Sequence, residues 1–257
     1  MPDCIGYIQR LEVFGNDLTV VNAARVSFHK ESSKLSTGDA KLLTYLAKHD
    51  HISPFFHPQV RFRIKMPIFV AREWFRHTVG LSRNEVSRRY IDSQPQCWIP
   101  DMTQIRERDP KSKQGSKSTP VQNSYDAYHK ITKSTKDAVD TYNDLLKDGI
   151  APEIARSVLP QSMYTEFIET GSLYAYARIC SLRSDPNAQA EIRQFAKRLD
   201  MAMAVAFPIS WKALRTKFKG ENNTHVDRYI SSSPIIADYQ KLWNEDRGGI
   251  GHFGTGC

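Results

Sequence analysis

The sequence predicts an α+β fold in one domain. Two patterns carry that prediction. Val60, Phe62, Ile64 and Met66 alternate with Arg61, Arg63 and Lys65 at the two-residue period of a half-buried strand. From Tyr128 to Phe207, apolar residues recur at helical spacing between boundaries of Pro, Gly, Ser and Asp. Neither the strand nor the helix after it can bury its apolar side alone, which favours one shared core over two. Apolar residues at 40% and charged residues at 25% exclude collagen and extended disorder. No run approaches the ~18 apolar residues of a membrane-spanning helix. The opening MPDCIGYIQRLEVFG lacks the basic head and apolar core of a secretory signal, so a cytoplasmic protein without a membrane partner is expected. Cys4, Cys97, Cys180 and Cys257 are scattered without a CxxC, so reduced thiols and no metal site are expected. Lysine and arginine number 36 against 28 acidic residues, and the resulting +8 favours an anionic partner: a nucleotide, a phosphorylated cofactor or nucleic acid.

Taken in order, Ile5 to Phe14 reads as a strand and Val20 to Phe28 as a short helix. Ser36 with Asp39 forms a capping pair ahead of Leu42, Leu43, Leu46 and Ala47, a helix ending near His49. After the strand through Met66, Pro67 suits the first turn of a helix whose Ile68, Ala71, Trp74 or Phe75, and Val79 face the core. Phe75 to Tyr90 then runs from that helix into a loop. Residues 106–123, RERDPKSKQGSKSTPVQN, hold no apolar period and read as a mobile surface loop. Tyr128, Ile131, Thr135, Ala138, Tyr142 and Leu145 mark a long helix closed by Gly149. PEIARSVLP, GSLYAYARICSLRS and NAQAEIRQFAKRLDMAMAVAF give further helices. The domain so defined covers 1–218, followed by a polar C-terminal tail over 219–257.

The chemistry is densest in FRHTVGLSRNEVSRRY, Phe75 to Tyr90, where Arg76, His77, Ser82, Arg83, Asn84, Glu85, Ser87, Arg88 and Arg89 crowd together. Arginine presents a planar fork of donors matched to phosphate oxygens, and serine hydroxyls and loop amides complete an anion cradle without adding charge. Basic loop residues are also commonly just solvated, and composition alone does not separate the two.

The spacing RH followed by SxNExSxRY resembles the signature of the flavin-dependent thymidylate synthases. HDHISPFFH, PIFVAREWFRH, EIARSVLPQSMYTEF and LRSDPNAQAEI resemble segments of that family in the same order, from about residue 20 to residue 217. The resemblance implies an α+β fold, with an antiparallel sheet flanked by helices and a mainly helical C-terminal part. It implies a homotetramer with active sites shared between subunits, FAD as cofactor, and dUMP as substrate. The reaction implied is reductive methylation of dUMP to dTMP, with methylenetetrahydrofolate and NADPH as co-substrates. By position, Arg76, Glu85, Ser87, Arg88, Arg89, Arg156 and Arg183 are similar to dUMP-binding residues. His51, Ser53, Arg76, His77, Asn84, Glu85 and Arg178 are similar to the FAD-binding set. Arg183 and His51 carry the implied catalytic roles, Arg183 through a guanidinium that favours negative charge at uracil N3.

Departures from the family pattern are Thr78 in place of an arginine, Glu73 in place of a glutamine, and Ser172, Tyr174 and Arg178 in the flavin segment. They keep open a same-fold pyrimidine nucleotide C5 hydroxymethyltransferase. Arg178 sits about a helical turn before Arg183 and could restore the charge lost at Thr78. A non-enzymatic nucleic-acid binder is the reading from another class, but no aromatic-interleaved basic strand, zinc finger or helix-turn-helix supports it.

Overall fold

A computed structural model of the chain describes residues 5–91, 93–110 and 115–219. Of the polar tail expected over 219–257, all but Lys219 lies outside them. Strand β1 is Tyr7–Phe14. Helix α1, Asp17–Arg25, begins earlier than the apolar residues suggested, because Asn16 and Thr19 form a reciprocal cap: Thr19 N donates to Asn16 Oδ1 at 3.1 Å and Asn16 N to Thr19 Oγ1 at 3.0 Å. A 3₁₀ turn, Val26–Phe28, follows. Helix α2, Thr37–Lys48, starts at the expected cap, with Ser36 N and Oγ each 2.8 Å from Asp39 Oδ2, and ends with His49 as its C-cap. The Ser36 hydrogen bonds hold the Asp39 carboxyl below its ordinary range. Arg25 pairs with the same carboxylate, joining the last turn of α1 to the first turn of α2.

A second 3₁₀ turn, Ser53–Phe56, leads to strand β2, Gln59–Pro67. Its alternation holds as read: Val60, Phe62, Ile64 and Met66 are buried, and Arg61 and Arg63 face solvent. Helix α3, Ile68–Trp74, has Pro67 as its N-cap rather than inside its first turn. Its first amides are taken by a neighbouring segment, Ile68 N donating to Met163 O at 2.9 Å and Phe69 N to Gln161 O at 3.0 Å. The helix stops at Trp74, so Val79, expected on the core face, is exposed. The stretch read as loop then becomes strand β3, Leu81–Glu85, entered through Gly80 in the left-handed region at φ +76°.

The segment read as a loop over 106–123 carries two short paired strands, β4 (Arg106–Arg108) and β5 (Ser116–Pro120). Arg106 anchors the pair to the rest of the chain through Glu191, 2.6 Å away. Helix α4, Ser124–Lys147, is followed by Gly149 at φ +80°, and PEIARSVLP forms the short helix α5 (Pro152–Ala155) and a 3₁₀ turn, Arg156–Val158. Strand β6, Tyr164–Ser172, was not read from the sequence at all. Its inward row, Thr165, Phe167, Glu169 and Gly171, contains one large apolar residue, which erases the hydrophobic alternation. Helices α6 (Leu173–Arg183), α7 (Ala190–Ala206) and α8 (Pro208–Lys219) complete the described chain. The last expected helix ends at Phe207, as α7 does with Phe207 as its C-cap, whereas α8 was not read from the sequence. Pro208 ends one helix and opens the next, and the Asp17 carboxylate accepts from Ile209 N and Ser210 N at 3.1 and 2.8 Å.

The main sheet is antiparallel throughout, in the order β1-β2-β6-β3. β6 lies between β2 and β3, with Ile64 opposite Phe167 and Phe62 opposite Glu169. One face of the sheet packs on Leu43, Trp74, Phe195, Leu199 and Trp211, all fully buried, and the other carries Arg61 and Arg63 outward. At Gly171 the approach is so close that an added Cβ would sit 2.4 Å from Leu81 Cδ2 and 2.8 Å from Tyr176 Cζ. Gly171→Ala is therefore expected to destabilise the protein by about 1–3 kcal/mol through overpacking, read as a lower urea midpoint at unchanged m-value.

Candidate active site

β6 sends Glu169 into the interior, where it is fully buried. A carboxylate there is tolerable only with its oxygens engaged. Trp74 Nε1 donates to Oε1 at 3.1 Å and Arg83 Nε to Oε2 at 2.5 Å, and Arg83 Nη2 pairs with the same oxygen. Burial pushes the Glu169 carboxyl up, against the opposing pull of the Arg83 charge. The Tyr176 hydroxyl donates to the carbonyls of Val60 and Glu169, each 3.3 Å away, and burial with the nearby Glu169 charge raises its pKa well above the ordinary tyrosine value. Arg83 lies with its guanidinium 4.6 Å from the centre of the Phe75 ring and donates from Nη2 to His77 O at 3.1 Å. The buried carboxylate thereby fixes the backbone just past α3.

His77 takes its position from that anchor, and its side chain meets α6. Arg183 Nε donates to His77 Nε2 at 3.0 Å, Arg183 Nη2 donates to Glu73 O at 3.0 Å, and Arg183 Nη1 stands 3.4 Å from Glu73 Oε2. A guanidinium Nε can only donate, so His77 Nε2 is the acceptor and the neutral ring carries its proton on Nδ1. Burial first, then the charges of Arg183, Arg178 and Arg83, lower the His77 pKa from 6.5 to about 4.

A separate cleft of about 1250 Å³ opens beside β3 and β6, lined in part by Arg63, Lys65, Asn84, Glu85, Arg88 and Arg156. Four of the residues expected from the sequence, Asn84, Glu85, Arg88 and Arg156, share this wall. The ladder extends past β3 as Val86 N donates to Glu166 O at 2.9 Å, and Glu85 Oε1 accepts from Thr165 Oγ1 at 2.5 Å. Arg88 donates to Ser93 O, Ser87 Oγ accepts from Arg89 N at 3.3 Å, and the Arg89 guanidinium covers the exposed Tyr90 ring at 5.2 Å. His77 and Arg183 are in direct contact but line another part of the surface. Arg76 and Arg178 are exposed, as is Ser53 at the start of its 3₁₀ turn. His51 is exposed after α2, its ring stacked 6.1 Å from that of Tyr45. His51, Ser53, Arg76, Ser87, Arg89 and Arg178 are thus not drawn to the cleft wall within one chain. Arg83, Trp74 and Glu169 were not singled out as a unit from the sequence. The only trace was a lone inward charge on each of two strands that had not been recognised, Arg83 of β3 and Glu169 of β6.

Comparison with known proteins gives the class. The model of the family described as Thymidylate synthase complementing protein matches residues 11–209. A flavin-dependent thymidylate synthase of Thermosipho africanus is 37% identical over 218 residues, 84% of this chain and 94% of the relative. One from Thermus thermophilus is 36% identical over 208 residues, 81% and 75% of the two chains. Among solved structures, the UMP/dUMP methylase PolB of Streptomyces cacaoi, bound with 5-Br dUMP, superposes with a TM-score of 0.73 at 31% identity, covering 81% of this chain and 94% of its own. The chain belongs to the flavin-dependent thymidylate synthase family, a family of enzymes.

Two outcomes follow from the buried network. Glu169→Ala strands Arg83 and the Trp74 N–H without their acceptor and is expected to cost about 3–5 kcal/mol in chemical denaturation. For His77, the unfolded state binds a proton that the folded state refuses between about pH 4 and 6.5. Its contribution to stability is therefore full above pH 6.5 and lost as the pH falls toward 4. Denaturation curves measured across that window should show a smaller loss of stability for His77→Gln than for the parent.

Proposed function

We propose that the chain carries out the reductive methylation of dUMP to dTMP, with FAD as cofactor and methylenetetrahydrofolate and NADPH as co-substrates. It acts in the cytoplasm as a homotetramer with shared sites. The observation that carries the reading is Arg183: a half-buried guanidinium held by a neutral histidine and the Glu73 backbone. A fixed positive group of this kind favours negative charge at uracil N3, which raises electron density at C5 without an enzyme nucleophile.

The donor set suits a flavin dinucleotide. Arg76 and Arg178 present exposed guanidiniums able to meet a pyrophosphate, and neutral His77, with its proton on Nδ1, can donate to a ring carbonyl without bringing charge. His51, Ser53, Asn84 and Glu85 would complete the holding set. When bound, FAD supplies hydride transfer. On the nucleotide side, Arg88, Arg89, Arg156 and Arg76 hold the phosphate, with Ser87 as a neutral donor and Glu85 as an acceptor. His51 orients the reacting rings from its exposed position after α2. Arg76 and Arg156 do not share the cleft of one chain. That separation supports a nucleotide site completed by another copy.

Purified protein should be yellow, with a flavin spectrum. Arg183→Ala should lower single-turnover dTMP formation on the order of 10²- to 10³-fold while changing dUMP affinity less. Arg183→Lys should fall between, keeping the charge but losing the planar fork. A colourless protein that takes up no FAD, or near-parental turnover in Arg183→Ala, would remove the reading. Running UMP beside dUMP tests whether the 2′ position is discriminated.

A further inference from the structure

We infer that Glu73 is a positioning residue for Arg183, fixing its guanidinium ahead of nucleotide binding; the inference rests on the reading of Arg183 as the group beside the pyrimidine. Glu73 lies in the last turn of α3 and Arg183 ends α6, elements brought together by the fold and far apart in the chain. Of the five guanidinium N–H groups, one goes from Nε to His77, one from Nη2 to the Glu73 carbonyl, and one from Nη1 toward the Glu73 carboxylate. That leaves one N–H on each terminal nitrogen for a ligand, in a plane already set by two elements. Glu73 supplies two of the three contacts, and its carboxylate is the only ionised partner among them, since His77 is neutral.

Electrostatics point the same way. Arg83, Arg178 and Arg183 are all close enough to act on the His77 ring. Glu169 is committed to Arg83, so among the described residues the carboxylate that offsets the charge of Arg183 is Glu73. Without it, Arg183 faces the other guanidiniums with a neutral ring and a carbonyl as its remaining acceptors. Like charge and a flexible stem would then let it swing toward solvent. The side chains of Glu73 and Arg183 are 30% and 20% exposed, so the pair is reachable by a ligand yet shielded enough for the contact to orient it.

The test is a double-mutant cycle on the FAD-loaded enzyme. Glu73→Ala should lower single-turnover dTMP formation on the order of 10²-fold, as expected when a reacting group is misplaced by about an ångström. dUMP affinity by titration should stay within about threefold. Glu73→Gln, which keeps an acceptor oxygen but not the charge, should fall between Glu73→Ala and the parent. In the Arg183→Ala background, Glu73→Ala should cost nothing further. If Glu73→Ala does not fold, Glu73→Leu, which fills the same space, takes its place in the cycle. Fully additive losses, or a Glu73→Ala rate equal to the parent's while Arg183→Ala is impaired, would overturn the positioning role and leave the functional reading standing. A parental rate in Arg183→Ala would strike that reading itself.

Discussion

The structure turns on a carboxylate placed where water cannot reach it. Glu169 stands in the middle of β6, and an ionised group in such a site must find its compensation within the protein or abandon its charge. Its partners come from α3 through Trp74 and from β3 through Arg83, so satisfying one side chain draws three elements to a single point. Arg83 is held in turn against the Phe75 ring and bonded to the His77 carbonyl. The backbone after α3 is thereby fixed by polar demand as well as by packing, which explains how a stretch with little apolar content becomes an edge strand of the sheet.

From that anchor outward, the chain passes from dry to wet chemistry in short steps. His77 receives its backbone position from Arg83 and offers its ring to Arg183, and burial, reinforced by nearby guanidiniums, keeps the ring neutral. Neutrality is what makes the contact possible, because a protonated imidazole has no lone pair to accept from Arg183. Arginine clusters commonly repel one another into solvent, and here each inner arginine has a carboxylate of its own, Glu169 for Arg83 and Glu73 for Arg183. The result is a preorganised positive group, the feature by which fixed dipoles and charges stabilise developing negative charge.

The cleft beside β3 and β6 is built differently. Its walls include the solvent face of the sheet and the segment that follows β3, with Arg63, Lys65, Arg88 and Arg156 set against Glu85, Glu153 and Glu166. The sheet supplies rigidity through an unbroken β2-β6-β3 register, while the loop residues Ser87, Arg88 and Arg89 are tied mainly to one another and to nearby backbone. A rigid floor beneath locally bonded loop residues is a common way for a protein to combine precise placement with room for a ligand.

The sequence by itself determined what local physics can determine. The two-residue period of β2, the Ser36–Asp39 cap of α2, the length of α4 and the helical character of α6 and α7 were legible because each depends on residues within a turn or two of one another. The arginine-rich segment from Phe75 to Tyr90 was legible as chemistry, and its spacing matched the family that the comparisons show. β6 and β3 were not legible. Their inward rows carry Glu169, Gly171 and Arg83, whose burial makes sense only when Trp74 and Tyr176 arrive from elsewhere in the chain. The early start of α1 was missed for a smaller reason, an Asn–Thr cap placed ahead of the apolar residues. Which arginines stand free for a ligand and which are consumed within the protein was likewise a tertiary matter. Arg83 and Arg88 look alike in sequence, yet one is spent on a buried carboxylate and the other lines a cleft. A single chain of letters records charge and spacing, whereas the cost of burying a charge depends on partners that only the folded structure brings within bonding distance.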